Sequence, residues 1–564
     1  MVRDHPVVVL ARHFFASLFD AGVLSEDGAD SLKRVLLGGL SLAIAGGLLL
    51  VRIFMAKYGE LSGAPPELYL REIIADHAFL MALSMWIVAA AMALAGPSLF
   101  PDETDFRILM AQPLARADVF AAKLAALLAF AGLFMAGTHA GVLPLAALTL
   151  LGAAKTGSLV LAALAFVAAS VAASVCAAVG VVAVHGLAVL LGSRRRLLAV
   201  SGAVRVLLIG GLVLVLPLIT RLPATADAFA GDAWWLAWTP PAWFAGLERW
   251  LLGDASRGWL AVRAVTATGG ALVIAVATYV RLYRRFDRVT YQAPVAARTA
   301  GRERPAAAWR RSAPVGGAVR RFVAATLRRS VLHQGLVIGL LTAAGSLVLN
   351  SLLGADWQAP ELDALKADAP VVVLLWAPMT TLFLSIPASR LALSVPMDLR
   401  ANWIFRMTED VEGRAEVADA GVHAVLWWAV AVPLALLAPL QAWIMGPAVL
   451  GVLLVEAAIG WVLVERQMAD WRRVPFTCAY IPGKGFVPQM CVKAFAQYVV
   501  FTLLTGAALR ASLRAPGTAL GLALVLAAIG AVLLRRRTRE ARATPLLFEE
   551  QVPSELTPLR LNAD

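Results

Sequence analysis

SLVLAALAFVAASVAASVCAAVGVVAVHGLAVLLG, residues 158–192, runs for 35 positions without Asp, Glu, Lys or Arg. A helix rises 1.5 Å per residue and the hydrocarbon core of a bilayer is roughly 30 Å thick, so about 20 such residues cross it. The run is either one long crossing, tilted or emerging at one end, or two crossings joined by a hidden turn. Splitting it would invert the side assigned to everything after it. Basic residues decide between these, because Lys and Arg collect in cytoplasmic loops. With one crossing here and the N-terminus inside, 39 of the 50 Lys and Arg fall on the cytoplasmic side: in 1–34, 97–123, 194–205, 281–330, 390–420, 466–493 and after 534. A single miscounted span would break that agreement.

Apolar spans are expected near 35–55, 77–96, 119–149, 158–192, 203–220 and 259–280. Six more fall near 331–353, 370–389, 421–442, 446–464, 493–510 and 517–534. The expected fold is an all-α polytopic membrane protein of about twelve transmembrane helices, in two six-span halves, with both termini cytoplasmic. Composition agrees: of 564 residues 60% are hydrophobic and 15% charged, against roughly 25% charged in soluble domains. A soluble enzyme is excluded. Three cysteines (Cys176, Cys478, Cys491) cannot form a disulfide scaffold for a chain this long. Residues 1–34 mix acidic, basic and apolar positions, unlike a cleavable signal peptide, and are read as a retained cytoplasmic amphipathic segment. The net charge of +13 is accounted for by helix anchoring and attraction to anionic lipid headgroups, without nucleic-acid binding.

The segment 281–330, beginning RLYRRFDRVTYQAPVAARTAGRERPAAAWRRSAP, divides the spans into 35–280 and 331–534, and 535–564 forms a cytoplasmic tail. Each half opens with a stretch suited to lie along the membrane as an amphipathic helix. In the first, Val7, Leu10, Ala11, Phe14, Phe15 and Leu18 recur at spacings of three and four. In the second, Val319, Phe322, Val323 and Leu327 do so between arginines. Each half also places its main polar cytoplasmic segment between its second and third spans, at 97–118 and 390–420. An internal duplication fits this layout, although residue identity between the halves is slight.

Catalytic and nucleotide motifs are absent from the sequence. Gly483-Lys484 is not part of a phosphate loop, since Cys478 stands where the first glycine belongs. No H-E-x-x-H or G-x-S-x-G occurs, the seven histidines are scattered, and Cys478 and Cys491 have no histidine near them. No metal site, no catalytic residue and no cofactor bound by the chain itself are expected. Polar residues inside spans carry more information, because a charge at the bilayer centre costs about 2.5 to 3.5 kcal/mol on insertion scales. Glu456, mid-span in GVLLVEAAIGWVLVE, is the clearest, with His139, His185 and Gln441 in other spans. They line a translocation path or relay protons, or they form interhelical hydrogen bonds that hold the bundle.

PDETDFRILMAQPLARADVFAAK, residues 101–123, interrupts two apolar runs with a short helix carrying Phe106, Leu109 and Met110, then a break at Pro113, then a new helix near Asp118. A short amphipathic helix on the cytoplasmic face suits docking into a groove of a soluble partner. The pattern of an acidic residue, Leu-Met, Pro, Arg and a later Lys resembles the cytoplasmic coupling segment of type 2 ABC transporter permeases. That resemblance assigns ATPase coupling to Phe106, Arg107, Leu109, Met110, Pro113, Arg116 and Lys123. It also implies an ABC ATPase subunit as partner, with ATP and Mg used by that subunit, and export across the plasma (inner) membrane. The stretches 5–20 and 318–330 resemble the family's elbow helices. WWLAWTPPAWFAGLERWLLG, residues 234–253, resembles its outer interfacial helix, carried by Trp234, Trp235, Pro240, Pro241, Trp243 and Phe244. From the residues alone, that cluster reads as an interfacial helix with aromatic anchors.

The resemblance is strongest over 5–285. In the second half, MDLRANWIFRMTEDVEGRAEV, residues 397–417, keeps Trp403, Phe405 and Arg406 but has Thr408, Glu409 and Asp410 where the first half has Ala111, Gln112 and Pro113. PFTCAYIPGKGFVPQ, residues 475–489, has no counterpart. Two other functions remain open: an ion-coupled secondary transporter of the six-plus-six major facilitator kind, and a non-transport membrane scaffold. Against the former, GPSLFPDETDFR lacks that family's compact G-x-x-x-D-R-x-G-R loop. Substrate chemistry is not encoded in any motif.

Overall fold

The computed structural model describes residues 5–17, 50–61, 63–95, 112, 114–150, 158–191, 197–231, 233–290, 314–354, 370–397, 402, 407, 413–478 and 487–547. Among them eight helices are long and apolar enough to cross a membrane, or nine if the bent pair 203–219 and 222–229 counts as one. Helix is what lipid demands, since every backbone N–H and C=O must find its partner inside the segment. The chain is an all-α polytopic protein with two compact units, Met1–Thr299 and Ala300–Asp564.

The first unit comprises α1 (Pro6–Ser17), α2 (50–61), α3 (Pro66–Leu94), α4 (Arg116–Leu150), α5 (Leu159–Leu191), α6 (Leu197–Ile219), α7 (Pro240–Leu251) and α8 (Gly258–Thr290). The run 158–192 is one helix of 33 residues, about 50 Å long at 1.5 Å per residue, and hides no turn. The second span starts earlier than residue 77: α3 begins at Pro66, with Pro65-Pro66 setting its first turn and Glu67 favoured by the helix dipole. Its charged first turns conceal it from a hydropathy window, yet Tyr69, Ile73 and Asp76 are buried there.

Helix α3 is the hub, packing on α4, α5, α6 and α7. The start of α3 (His77), the end of α4 (Thr149), the start of α5 (Phe166) and α7 (Glu248) share one level. At the opposite level the start of α4 meets α1 and the end of α8: Phe14 packs on Val119 and Ala122, and the Tyr279 hydroxyl donates to Phe120 O at 3.0 Å. These helices therefore alternate in direction, as a serpentine membrane chain must. The outward face of α8 is apolar (Val262, Val265, Leu272, Val273, Val276) and suits lipid.

The second unit comprises α9 (Pro314–Arg329), α10 (Val331–Gly354), α11 (Pro370–Ser394), α12 (Arg414–Val425), α13 (Val432–Met445), α14 (Val449–Gln467), α15 (Val487–Arg514) and α16 (Pro516–Ala543). Helices α12 and α13 form one rod through a π-turn at Leu426–Ala431. There Ser385 Oγ donates to Ala429 O at 2.7 Å, and Gly460 of α14 leaves room for Val430, which a Cβ would meet at 2.6 Å. Such π-turns insert one residue into the helix and recur at functional sites. Helix α16 does not stop at 534 but runs nine residues further, to Ala543, so the start of the expected 535–564 tail is helical.

Candidate functional site

Among the described residues three buried polar clusters stand out, two of them closed by pairing. In the first unit Asp76 and His77, neighbours on α3, serve two partners sets. Asp76 accepts from Lys57 Nζ (2.9 and 3.0 Å) and the Tyr58 hydroxyl (2.6 Å), and Lys57 also pairs with Glu72 at 2.7 Å. His77 Nδ1 lies 2.8 Å from Glu248 Oε1, and its Nε2 lies 2.7 Å from Thr149 Oγ1. The Thr149 hydroxyl donates to Ala146 O at 2.7 Å, so its single hydrogen is committed and His77 Nε2–H must be the donor. One proton then lies between Nδ1 and the Glu248 carboxyl. Both side chains are buried, 1% and 4% exposed.

This pair fixes α7 to the bundle. Pro240 and Pro241 start α7, Phe244 is buried, and the Trp243 indole donates to Ala237 O at 3.0 Å. Trp234 stays 80% exposed and Trp235 half-buried, the amphipathic arrangement expected of an interfacial helix. Gly246 lets α7 lie directly on α8, where a Cβ would come 2.3 Å from Leu260 Cβ.

The second cluster closes one end of the second unit. Arg537 is 3% exposed, its Nε 2.8 Å from Glu465 Oε2 and its Nη1 2.7 Å from Asp419 Oδ1. It ties α16 to α14 and α12. Beside it the loop after α14 is pinned: Arg390 donates to Gln467 O and pairs with Asp470, Leu547 N donates to Arg472 O at 2.7 Å, and Asn402 donates to Thr477 O at 2.7 Å. Phe476 adopts φ 66°, a left-handed conformation costing roughly 1 to 2 kcal/mol for a residue with a Cβ. Its N–H donates to Leu393 O at 2.8 Å, its carbonyl accepts from Met397 N, and its ring packs edge-on against His333.

The third cluster is open. Gln441 of α13 and Glu456 of α14 meet where the sequence anticipates polar residues: Gln441 Nε2 donates to Glu456 Oε1 at 2.9 Å and to Leu374 O at 3.2 Å. Both side chains are buried, 1% and 0% exposed, yet Glu456 Oε2 and Gln441 Oε1 have no hydrogen-bond partner. Gln441 also lines a cavity of about 40 Å³ with Val348, Leu374, Ala377, Pro378, Leu437 and Leu440.

The histidines named with them lie in the first unit and apart from one another in role. His139 bridges α4 and α5, from Met135 O (2.7 Å) to Ser170 Oγ (3.1 Å). His185 bonds back to Val181 O at 3.1 Å and leaves Nε2 unpaired. Of the coupling positions, Phe106, Arg107, Leu109, Met110, Pro113, Trp403, Phe405 and Arg406 lie outside the described residues. Arg116 starts α4. Lys123 is buried beneath α1, its ammonium 4.8 Å from the Phe14 ring. Among the described residues no group of His, Cys, Asp and Glu is placed to hold a metal ion.

Sequence reading missed Lys57, Asp76, His77, Glu248, Asp419, Glu465 and Arg537. The acidic-histidine pair at 76–77 beside an apolar run was the available signal; Arg537 was hidden in a basic run that reads as a solvated tail. Comparison with known proteins finds no matching family model, no matching curated protein and no matching solved structure. Fold and site together define the class: a polytopic α-helical membrane protein with buried ionic clusters in each unit.

Proposed function

We propose that the chain is the membrane-spanning subunit of an ATP-driven exporter of the type 2 ABC permease class. It crosses the plasma (inner) membrane twelve times in two halves with both termini cytoplasmic, and ATP is hydrolysed by a separate subunit. The observation that carries the reading is the α1–α4 junction. Helix α1 buries Phe14 against Val119, Ala122 and Ala126 of α4, at the end of residues 101–123, which resemble a coupling segment. A displacement of the start of α4 would be passed to α1, which packs on it, and along α4 to the α3 hub. In the second unit α9 is held similarly, with Gly316 N donating to Glu416 Oε2 of α12 at 3.0 Å and Val323 buried. Closure of the ATPase pair would rock the halves and change the face to which the path opens.

The test is purification of the tagged chain in mild detergent from its host, with mass spectrometry of co-purifying proteins and an ATPase assay. A stoichiometric Walker-motif subunit, lost when Phe106, Arg107 and Met110 are replaced by Ala in a chain that still inserts, is the expected result. A chain that purifies alone without ATPase activity refutes it. The second reading, an ion-coupled transporter, is favoured by one observation, the incompletely paired Glu456.

A further inference from the structure

We propose that Glu456 is a reversible proton-binding site in the second unit, reached through the small cavity at Gln441. The inference does not rest on the exporter reading. It rests on an imbalance of donors and acceptors. A carboxylate is acceptor-only, with about four lone-pair sites. Glu456, 0% exposed, receives one hydrogen bond, from an amide, and its Oε2 receives none. An isolated buried carboxylate without compensating donors is costly enough that the group neutralises instead. Protonation at Oε2 removes the charge and leaves the Gln441–Oε1 bond intact.

Among the described residues no neighbouring charge offers another solution. Helix α13 and the π-turn carry no titratable residue. The acidic and basic residues of α12 (Arg414, Glu416, Asp419, His423) end 18 positions before Gln441, about 27 Å along the rod at 1.5 Å per residue. On α14 itself Glu465 is bound to Arg537, the first of the described basic residues of α16 to be buried. On α11 Arg390 pairs with Asp470, and on α15 the Tyr498 hydroxyl is engaged by Thr380 at 2.9 Å while Arg510 is exposed. Glu456 enters no ion pair among the described residues.

The geometry also selects the ligand. Both hydrogens of Gln441 Nε2 are committed, to Glu456 Oε1 and Leu374 O, so the amide presents N–H and not oxygen to the carboxyl. A metal cation at the carboxylate would face that N–H. A proton would not. Gln441 Oε1 is the remaining acceptor, and the 40 Å³ cavity that Gln441 lines exceeds the roughly 10–15 Å³ that one water needs. A hydronium delivered there protonates Glu456: the O–H bond of hydronium breaks, a carboxyl O–H forms, and water leaves.

The test uses the full chain in lipid nanodiscs, with infrared difference spectra between pH steps and after exchange into deuterium oxide. A protonated-carboxyl C=O band should vanish in Glu456→Gln, convert to carboxylate with a one-proton midpoint, and shift on deuteration. Gln441→Met removes the one donor to the ionised form and should raise the midpoint by about a pH unit, a tenfold gain in proton affinity. Ala377→Leu, filling the cavity, should slow deuteration of this band at least tenfold. A carboxylate ionised at every pH, a carboxyl that never exchanges, an exchange rate indifferent to Ala377→Leu, or a midpoint that follows sodium concentration would each overturn the proposal. Should Glu456→Gln fail to fold, the Gln441→Met midpoint decides alone.

Discussion

Replacing His77 by Phe separates the ionic part of the α3–α7 junction from its packing. The new ring keeps its place beside Phe166, whose centroid lies 4.6 Å from the imidazole, but forfeits the bonds to Glu248 and Thr149. Thr149 loses little, since its hydroxyl still donates to Ala146 O. Glu248 is left as a buried carboxyl without the imidazole that it pairs with. Removing one partner of a buried pair costs about 3 to 5 kcal/mol, whereas replacing both with apolar groups is neutral or stabilising by about 1 to 4 kcal/mol. The readout is thiol labelling of Ala245→Cys, on the buried face of α7 at 1% exposure, which requires local undocking. At 1.4 kcal/mol per tenfold, His77→Phe should accelerate labelling by roughly 150- to 4,000-fold. Adding Glu248→Met should bring it back to within about tenfold of the parent. Equal labelling in parent and His77→Phe, or a double variant as fast as the single, would refute the clamp.

Arg537→Met leaves Glu465 facing only the Trp461 indole at 3.4 Å, and should destabilise the second unit by about 3 to 5 kcal/mol in thermal melts. Arg537→Met with Glu465→Met should recover most of that loss. Gly246→Ala places a methyl 2.3 Å from Leu260 Cβ and should cost about 1 to 3 kcal/mol, visible as faster Ala245→Cys labelling with unchanged insertion. Asp254, in the turn between α7 and α8, accepts from Ser256 Oγ (2.6 Å), Ser256 N (3.1 Å) and Arg249 (3.1 Å), and these bonds hold its carboxyl below the usual aspartate range. A lowered folded value means the contribution is complete above the ordinary value of about 3.9 and lost as pH falls through the folded one. Asp254→Asn should therefore melt slightly earlier than the parent at pH 7, and the two melting curves should converge below about pH 4.

Long apolar runs made most helices legible, because lipid selects for the property that a hydropathy window averages. Residues 158–192 and 119–149 each became one helix for that reason. The window failed where a helix is apolar on one face only: α3 extends to Pro66 with Glu67 and Arg71 outward, and α16 extends to Ala543 with Arg537 inward. Amphipathic spacing found α1 and α9, and the Pro-Pro-x-Trp-Phe run found α7. Side-chain partners are a different matter. His77 and Glu248 are separated by 171 positions, and Arg537 and Asp419 by 118, so no local pattern joins them. Glu456 was legible as an anomaly in its span, but its partner Gln441, 15 positions away across the α13–α14 turn, was legible only as another polar residue.

The contrast among the clusters is what separates holding from working. In the first unit Asp76 meets the Lys57 ammonium and Glu248 meets the His77 ring at hydrogen-bond distance, and Arg537 meets two carboxylates. A buried network satisfied in this way resists rearrangement, because any motion that breaks one pair strands a charge. These groups therefore fix α7 on α3 and α16 on α14. At Gln441 and Glu456 two buried acceptors are left over, and Gln441 lines a cavity and sits on the rod that carries the π-turn. Adding a single proton improves that site, and removing it again costs no ion pair. Closed clusters hold their helices together, while an open one changes its stability when a proton binds.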